Sequence, residues 1–174
     1  MGRSHETVSF LSDFRTRDEC VGVVKAVVRD LAPHARVIDL THEIPPFDVR
    51  AGSLALARAI SYVPNGVVLA VVDPGVGTGR RAVAIEVADG AGVLVGPGNG
   101  LLAPAVAMAG GAERCVVLTN TDFHLDAPGV TFAGRDVFAS VAAHLCNGVD
   151  LAELGESIEA ELLLPGVVPL PRDE

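Results

Sequence analysis

The run GVVLAVVD, Gly66 to Asp73, restricts the fold more than any other stretch of the chain. It places six apolar residues in a row, four of them valine, and closes on a carboxylate. So short and β-branched a run, with no polar alternation, suits a strand buried on both faces. A strand of that kind needs helices above and below it. VSFLSDF (Val8–Phe14), ARVIDL (Ala35–Leu40), RAVAIEV (Arg81–Val87), GVLVGP (Gly92–Pro97) and RCVVLT (Arg114–Thr119) read the same way. Between them lie segments with helical spacing: Cys20–Leu31, stopped by Pro33; Arg50–Tyr62, with Asp48 as N-cap; Leu101–Gly110, with Pro104 in its first turn; and Gly134–Gly148. The expectation is a three-layer α/β fold, a mostly parallel sheet with helices on both faces, spanning residues 7–164. The Pro-rich stretch LLLPGVVPLPRDE lacks a helix or turn signal, and residues 165–174 read as a linker or tail.

In such sheets ligands collect at the carboxyl ends of the strands, where Asp13 and Asp73 both fall. The segment VVDPGVGTGRR (Val71–Arg81) invites a dinucleotide-binding reading. That fingerprint needs a helix opening at its third glycine, whereas RRAVAIEV has strand character. No GK[ST] follows, so it is not a phosphate-binding P-loop either. Two readings of the segment remain. Asp73 caps the amides of a glycine-rich connection, or Asp73 and Arg80 fold back to face one another and hold a water or polar ligand. Asp13 is equally open, as an N-cap for the next helix or an acceptor for a ribose diol. Asn99, in GPGNGLL, shapes a turn or touches ligand, and His42, in DLTHEIPP, reads as a structural loop histidine.

The net charge of −9 argues against nucleic acid, which wants a basic face. No apolar run reaches the ~18 residues of a membrane span, and the polar N-terminus lacks a signal-peptide core. A soluble, cytoplasmic protein is expected. Cys20, Cys115 and Cys146 have no CxxC spacing and read as buried free thiols. His34, His124 and His144 lack partners at ligand spacing, so no metal is expected.

SDF, DLTHEIPPFDVRAGSLAL, VVDPGVGTGRRAVAI, GPGNGLL and TFAGRDVFA occur in an order that resembles the S-adenosyl-L-methionine hydroxide adenosyltransferase family. These are the adenosine-forming S-adenosyl-L-methionine hydrolases, related to fluorinase and chlorinase. The resemblance runs from about Val8 to Leu164. It implies an α/β domain followed by a β-barrel domain, assembled as a homotrimer with substrate between subunits. It also implies hydrolysis of S-adenosyl-L-methionine to adenosine and L-methionine, by water or hydroxide attack on the ribose 5′ carbon, with no cofactor. Asp13 then matches the acid holding the ribose hydroxyls, and Phe47 falls where relatives keep an aromatic against the nucleoside. Asp73 and Arg80 match two members of an Asp–Arg–His set that positions water, a pair the halogenating relatives lack.

Three departures stand out. The family's TFHGRD is TFAGRD here, so Ala133 occupies the histidine position, through design or natural loss, and activity is expected to be impaired. Gly98 replaces a common aspartate in GPDNGL. The barrel is absent, and the linker-like tail points to truncation. Two further readings stay open: a halide-using adenosyl transferase that makes 5′-halo-5′-deoxyadenosine, and a non-catalytic binder of adenosine or S-adenosyl-L-methionine.

Overall fold

A computed structural model of the chain describes residues 2–75, 80–126 and 132–159. Seven strands form one sheet in the order β2-β1-β3-β5-β4-β6-β7. They are β1 (Thr7–Ser12), β2 (Arg36–Thr41), β3 (Gly66–Val71), β4 (Ala82–Val87), β5 (Gly92–Pro97), β6 (Arg114–Val117) and β7 (Glu156–Ile158). Helices α1 (Cys20–Leu31), α2 (Val49–Ala59), α3 (Ala103–Met108) and α4 (Ser140–Cys146) complete it, α4 being preceded by a π-helical segment, Gly134–Ala139. Strand β3 explains the unbroken apolar run. Val67, Leu69 and Val71 enter the core beneath α1 and α4, while Val68, Ala70 and Val72 enter the one beneath α2 and α3. Every residue of β3 is buried, and each fully buried Val or Leu side chain contributes about 1.5–3 kcal/mol.

Strands β2, β1, β3 and β5 pair in parallel, but β4 pairs antiparallel with both β5 and β6. The sheet is mostly parallel as expected, but mixed at one side: β1, β2, β3, β5 and β6 run one way and β4 and β7 the other. The reason is the shortness of the connection from Val71 to Ala82. A parallel return needs a crossover of a dozen or more residues. Strand β4 instead starts back beside the carboxyl end of β5, with Ala82 opposite Pro97. Strand β7 carries little apolar signal and was not expected from the sequence.

Helix α1 has the expected bounds, and α2 begins where Asp48 accepts the Ala51 N–H at 2.9 Å but ends at Ala59 rather than Tyr62. Cys115 and Cys146 are buried thiols, and burial pushes Cys146 up to about 12; Cys20 is only half-buried. His34 Nε2 lies 3.0 Å from the His5 carbonyl and 3.1 Å from that of Cys146, tying the N-terminal segment to α4. Burial lowers the pKa of both His124 and His144. No described helix is long and apolar enough to cross a membrane. The Pro-rich stretch 165–174 and the expected domain end at residue 164 lie outside the described residues.

The chain leaves β1 toward β2 on one side, and leaves β3 toward β5 on the other. The carboxyl ends of β1 and β3 thus flank the point where the winding reverses, the usual place for a ligand crevice.

Candidate active site

A cleft of about 270 Å³ opens at that point. Asp13 and Phe14 line it after β1, Val71 and Asp73 after β3, and Pro46 with Phe47 from the loop before α2. Phe132, Ala133 and Gly134 close the remaining side, where the chain enters the π-helical segment.

Asp73 is buried, and Arg80 is mostly so. The guanidinium Nε donates to both carboxylate oxygens at 2.9 Å, and Nη2 donates to Oδ2. The Gly75 N–H also donates to Asp73 Oδ1, at 3.2 Å. Both sequence readings of Asp73 therefore coexist, since it caps a loop amide and faces the arginine. The tight turn expected at residues 76–79 lies outside the described residues. Arg80 also stacks over the Phe138 ring at 5.3 Å, which fixes the guanidinium plane from the core side. Removing one member of so buried a pair costs about 3–5 kcal/mol, because the other charge is left uncompensated.

Asn99 belongs to the support of this pair. Its Nδ2 donates to the Val72 carbonyl at 3.0 Å, and its Oδ1 accepts the Leu101 N–H at 3.1 Å. Next to it, the Gly98 N–H donates to the Arg81 carbonyl at 2.7 Å. The turn after β5 thus grips the backbone just before Asp73 and just after Arg80. Asn99 does not line the cleft, so its turn-shaping role is the one the geometry displays.

Asp13 is not a helix cap. Helix α1 starts seven residues later, where Asp18 Oδ1 accepts the Cys20 N–H at 3.0 Å. The Asp13 carboxylate instead reaches across the cleft edge and accepts the Phe47 N–H at 2.7 Å. Burial raises the Asp13 pKa; the Phe47 amide opposes the shift, and the nearby Asp73 charge adds to it. Phe47 adopts φ 65°, a left-handed conformation uncommon for a bulky residue, and the residue is 65% exposed at the cleft mouth.

Ala133 lines the same cleft as Asp73. Its surroundings are held by Asp136, whose Oδ2 accepts the Phe132 N–H at 3.0 Å while Arg135 Nε donates to Oδ1 at 2.5 Å. That Arg135 contact keeps the Asp136 carboxyl below its usual range. Gly134 permits the closure, since a Cβ there would sit 2.9 Å from Phe14 Cζ and 3.2 Å from Phe132 Cε1. Phe14 and Phe132 consequently pack at a ring-centroid distance of 5.4 Å and form the apolar wall. Sequence reasoning missed Phe14, Pro46, Phe132 and Phe138. Each adjoins a residue or motif already singled out, and the shortage of other aromatics in the chain was the available signal.

Residues 8–155 match the family described as SAM hydroxide adenosyltransferase N-terminal domain. A protein of Salinispora tropica named (R)-S-adenosyl-L-methionine hydrolase is 49% identical over 96% of this chain and 63% of its own length. One of the same name from Thermus thermophilus is 47% identical over 90% of this chain and 63% of its own. More distantly, a fluorinase of an Actinoplanes species is 27% identical over 94% of this chain and 62% of its own. A crystal structure of an uncharacterized conserved protein from Thermotoga maritima superposes with a TM-score of 0.80 at 37% identity, covering 88% of this chain and 59% of that one. The chain thus spans about 63% of the length of the hydrolases it matches.

Proposed function

This chain belongs to the SAM hydroxide adenosyltransferase family, and from that premise we propose that it hydrolyses S-adenosyl-L-methionine to adenosine and L-methionine. The observation that carries the reading is the buried Asp73–Arg80 pair in the same cleft wall as Asp13. Arg80 and the Gly75 N–H together hold the Asp73 carboxylate in a fixed orientation at the cleft, as a group that positions the attacking water needs.

In the reaction, the water oxygen forms a bond to the ribose 5′ carbon as the carbon–sulfur bond breaks. The bonding electron pair passes to sulfur, and methionine leaves as a neutral thioether. The proton lost by water passes to solvent. The sulfonium supplies the activation, so the protein's task is to orient a weak nucleophile and shield the reacting atoms from bulk water. Asp13 accepts the ribose hydroxyls on the lone pairs not used by Phe47. Phe47 and Phe14 face the nucleoside. Asp13 and Asp73 together favour a cationic substrate, while Arg80 holds the Asp73 carboxylate in place. No metal or organic cofactor takes part, and the reaction belongs to the cytoplasm. Ala133 stands where the family keeps a histidine, so turnover is slower than in relatives that have it.

The cleft is small beside the ~300–1,000 Å³ of most ligand sites, and Phe47 is exposed at its mouth. Both features support a site completed by a further domain of a neighbouring subunit in a homotrimer. The fluorinase relatives favour a second reading, in which a halide replaces water and the space at Ala133 accommodates the anion.

Incubation with S-adenosyl-L-methionine, with and without chloride, followed by chromatography, tests these readings. Adenosine and methionine in equal amounts, unaffected by chloride, is the expected result. A chloride-dependent 5′-chloro-5′-deoxyadenosine peak would favour the halide reading. Binding without any product would leave a nucleoside-binding protein.

A further inference from the structure

We propose that His42 is a positioning residue for the nucleoside side of the cleft, locking together the two loops that carry Asp13, Phe14 and Phe47. The proposal rests on the reading above only in taking adenosine as the ligand of that cleft.

His42 is 5% exposed, and both ring nitrogens are engaged. Nε2 lies 2.7 Å from Asp39 Oδ1 on β2, and Nδ1 lies 2.7 Å from Ser12 Oγ at the end of β1. The edge of Phe10 packs on the ring at 4.5 Å between centroids. Ser12 Oγ in turn accepts the Phe14 N–H at 3.2 Å, and the His42 carbonyl accepts the Arg15 N–H at 2.7 Å. The chemistry of the partners assigns the protons. An ionised carboxylate can only accept, so Nε2–H donates to Asp39. With the one proton of a neutral ring on Nε2, Nδ1 is an acceptor, and the Ser12 hydroxyl, which accepts from Phe14, donates its own hydrogen to it. The bonds run in one direction, from the Phe14 amide through Ser12 and His42 to Asp39, which also accepts from Lys25 Nζ at 2.8 Å.

Strain at the two loops gives this chain of bonds a purpose. Arg15 and Phe47 are non-glycine residues at φ 63° and φ 65°, one in each loop. Such conformations persist only where surrounding contacts over-determine them. Arg15 is held by the His42 carbonyl, and Phe47 by the Asp13 carboxylate. The His42 ring bonds Ser12, next to Asp13, and the His42 carbonyl bonds Arg15, so one residue ties the β1 loop to the loop that leads to Phe47. Serine, histidine and aspartate in this order suggest an acyl-transfer triad, but Ser12 is fully buried and outside the cleft lining, so no substrate carbonyl can reach Oγ. His42 acts through the loops and does not touch the reacting atoms.

Three variants of the full chain separate this role from general support of the fold. His42→Phe keeps the packing on Phe10 and loses both ring bonds. Ser12→Ala deletes one oxygen and carries the test should His42→Phe not fold. Asp39→Asn keeps an acceptor for Nε2–H and is the conservative control. The readouts are hydrogen exchange of the Phe47 amide, which bonds neither Ser12 nor His42, and adenosine affinity by calorimetry. Amides of β5 serve as an internal reference for global stability. His42→Phe and Ser12→Ala should speed Phe47 exchange about five- to tenfold beyond the β5 amides and weaken adenosine similarly, as expected for one buried hydrogen bond. Asp39→Asn should stay near wild type. Unchanged Phe47 exchange in folded Ser12→Ala overturns the proposal, and an Asp39→Asn variant as impaired as Ser12→Ala overturns the assigned direction of the bonds. If wild type itself fails to bind adenosine, the cleft reading fails, while Phe47 exchange still judges the clamp.

Discussion

Replacing Asp13 probes binding and backbone strain at once. Its carboxylate accepts the Phe47 amide at 2.7 Å, and a hydrogen bond to a charged group contributes about 1.5–3 kcal/mol. Phe47 at φ 65° costs about 1–3 kcal/mol in backbone strain. The two terms nearly balance, so in Asp13→Ala the strain prevails and the ring leaves the cleft wall. The ribose contacts proposed for the same carboxylate add about 2–4 kcal/mol, since partner groups are left unpaired. Adenosine affinity should therefore fall at least about 30-fold, and up to several hundredfold. Asp13→Asn, which keeps an acceptor for the Phe47 amide, should lose less. Calorimetry on these proteins, on Phe47→Gly and on the double variant measures the coupling. Glycine removes both the ring and the strain, so Asp13→Ala should cost less in that background, by more than the ~0.5 kcal/mol within which independent sites add. Equal adenosine affinity in wild type and Asp13→Ala would remove Asp13 from the site. Strict additivity would refute the link through Phe47.

Three further outcomes are expected. Burial raises the Asp13 pKa, with Asp73 adding to the effect. Adenosine affinity should thus decline as pH falls through that raised value, above the pH where an ordinary aspartate titrates, and the step should vanish in Asp13→Asn. The sign for stability is opposite: the native chain keeps a proton that the unfolded chain has lost. Asp13's contribution, present at low pH, therefore disappears as pH rises through the raised value, as denaturant titrations of wild type and Asp13→Asn will reveal. Ala133→His should raise adenosine formation by ~10²–10⁴-fold, and Asp73→Asn should erase most of that gain; a restored histidine with normal binding and no faster turnover would sink the water-positioning mechanism. Asn99→Asp turns the donor facing the Val72 carbonyl into an acceptor and should cost about 1–3 kcal/mol in urea unfolding, lowering turnover more than adenosine affinity; an unchanged midpoint would dismiss its role as a brace.

Much of this was legible because buried strands carry a strong local signal. VVLAVV could hardly be anything but a strand between two helix layers, and Cys20–Leu31 declared its helix by spacing alone. The reversal of β4 was harder to read. Strand direction depends on the length of the connection behind it, and the glycines after Asp73 drew attention to ligands rather than to topology. The pairing of Asp73 with Arg80 was one of two readings that the spacing allowed, suggested by a carboxylate that ends an apolar strand and an arginine close behind it. Asp13 was placed correctly at a strand end, yet its partner, the Phe47 amide, lies 34 residues away and has no sequence signature. His42 hid its connections for the same reason, since Ser12 is 30 residues distant. The aromatic wall of Phe14 and Phe132 depends on a glycine, Gly134, whose importance emerges only when a missing Cβ can be measured against both rings.

The order of strands also sets an order of events during folding. Strands β4 and β5 are near neighbours in sequence and pair antiparallel, so closing them costs little chain entropy. Strand β3 joins β5 after a moderate span, whereas β1 meets β3 only by closing a loop of more than fifty residues. Pairings of such separation form late and slowly. Asp73 and Arg80 belong to the early half of the sheet, and Asp13 to the strand that arrives afterwards. The cleft is consequently the seam along which the two halves of the molecule join. A chain stalled before β1 docks would already have its acid–arginine pair within reach but no nucleoside wall, so in a refolding experiment recovery of adenosine binding should lag behind protection of the β4 and β5 amides.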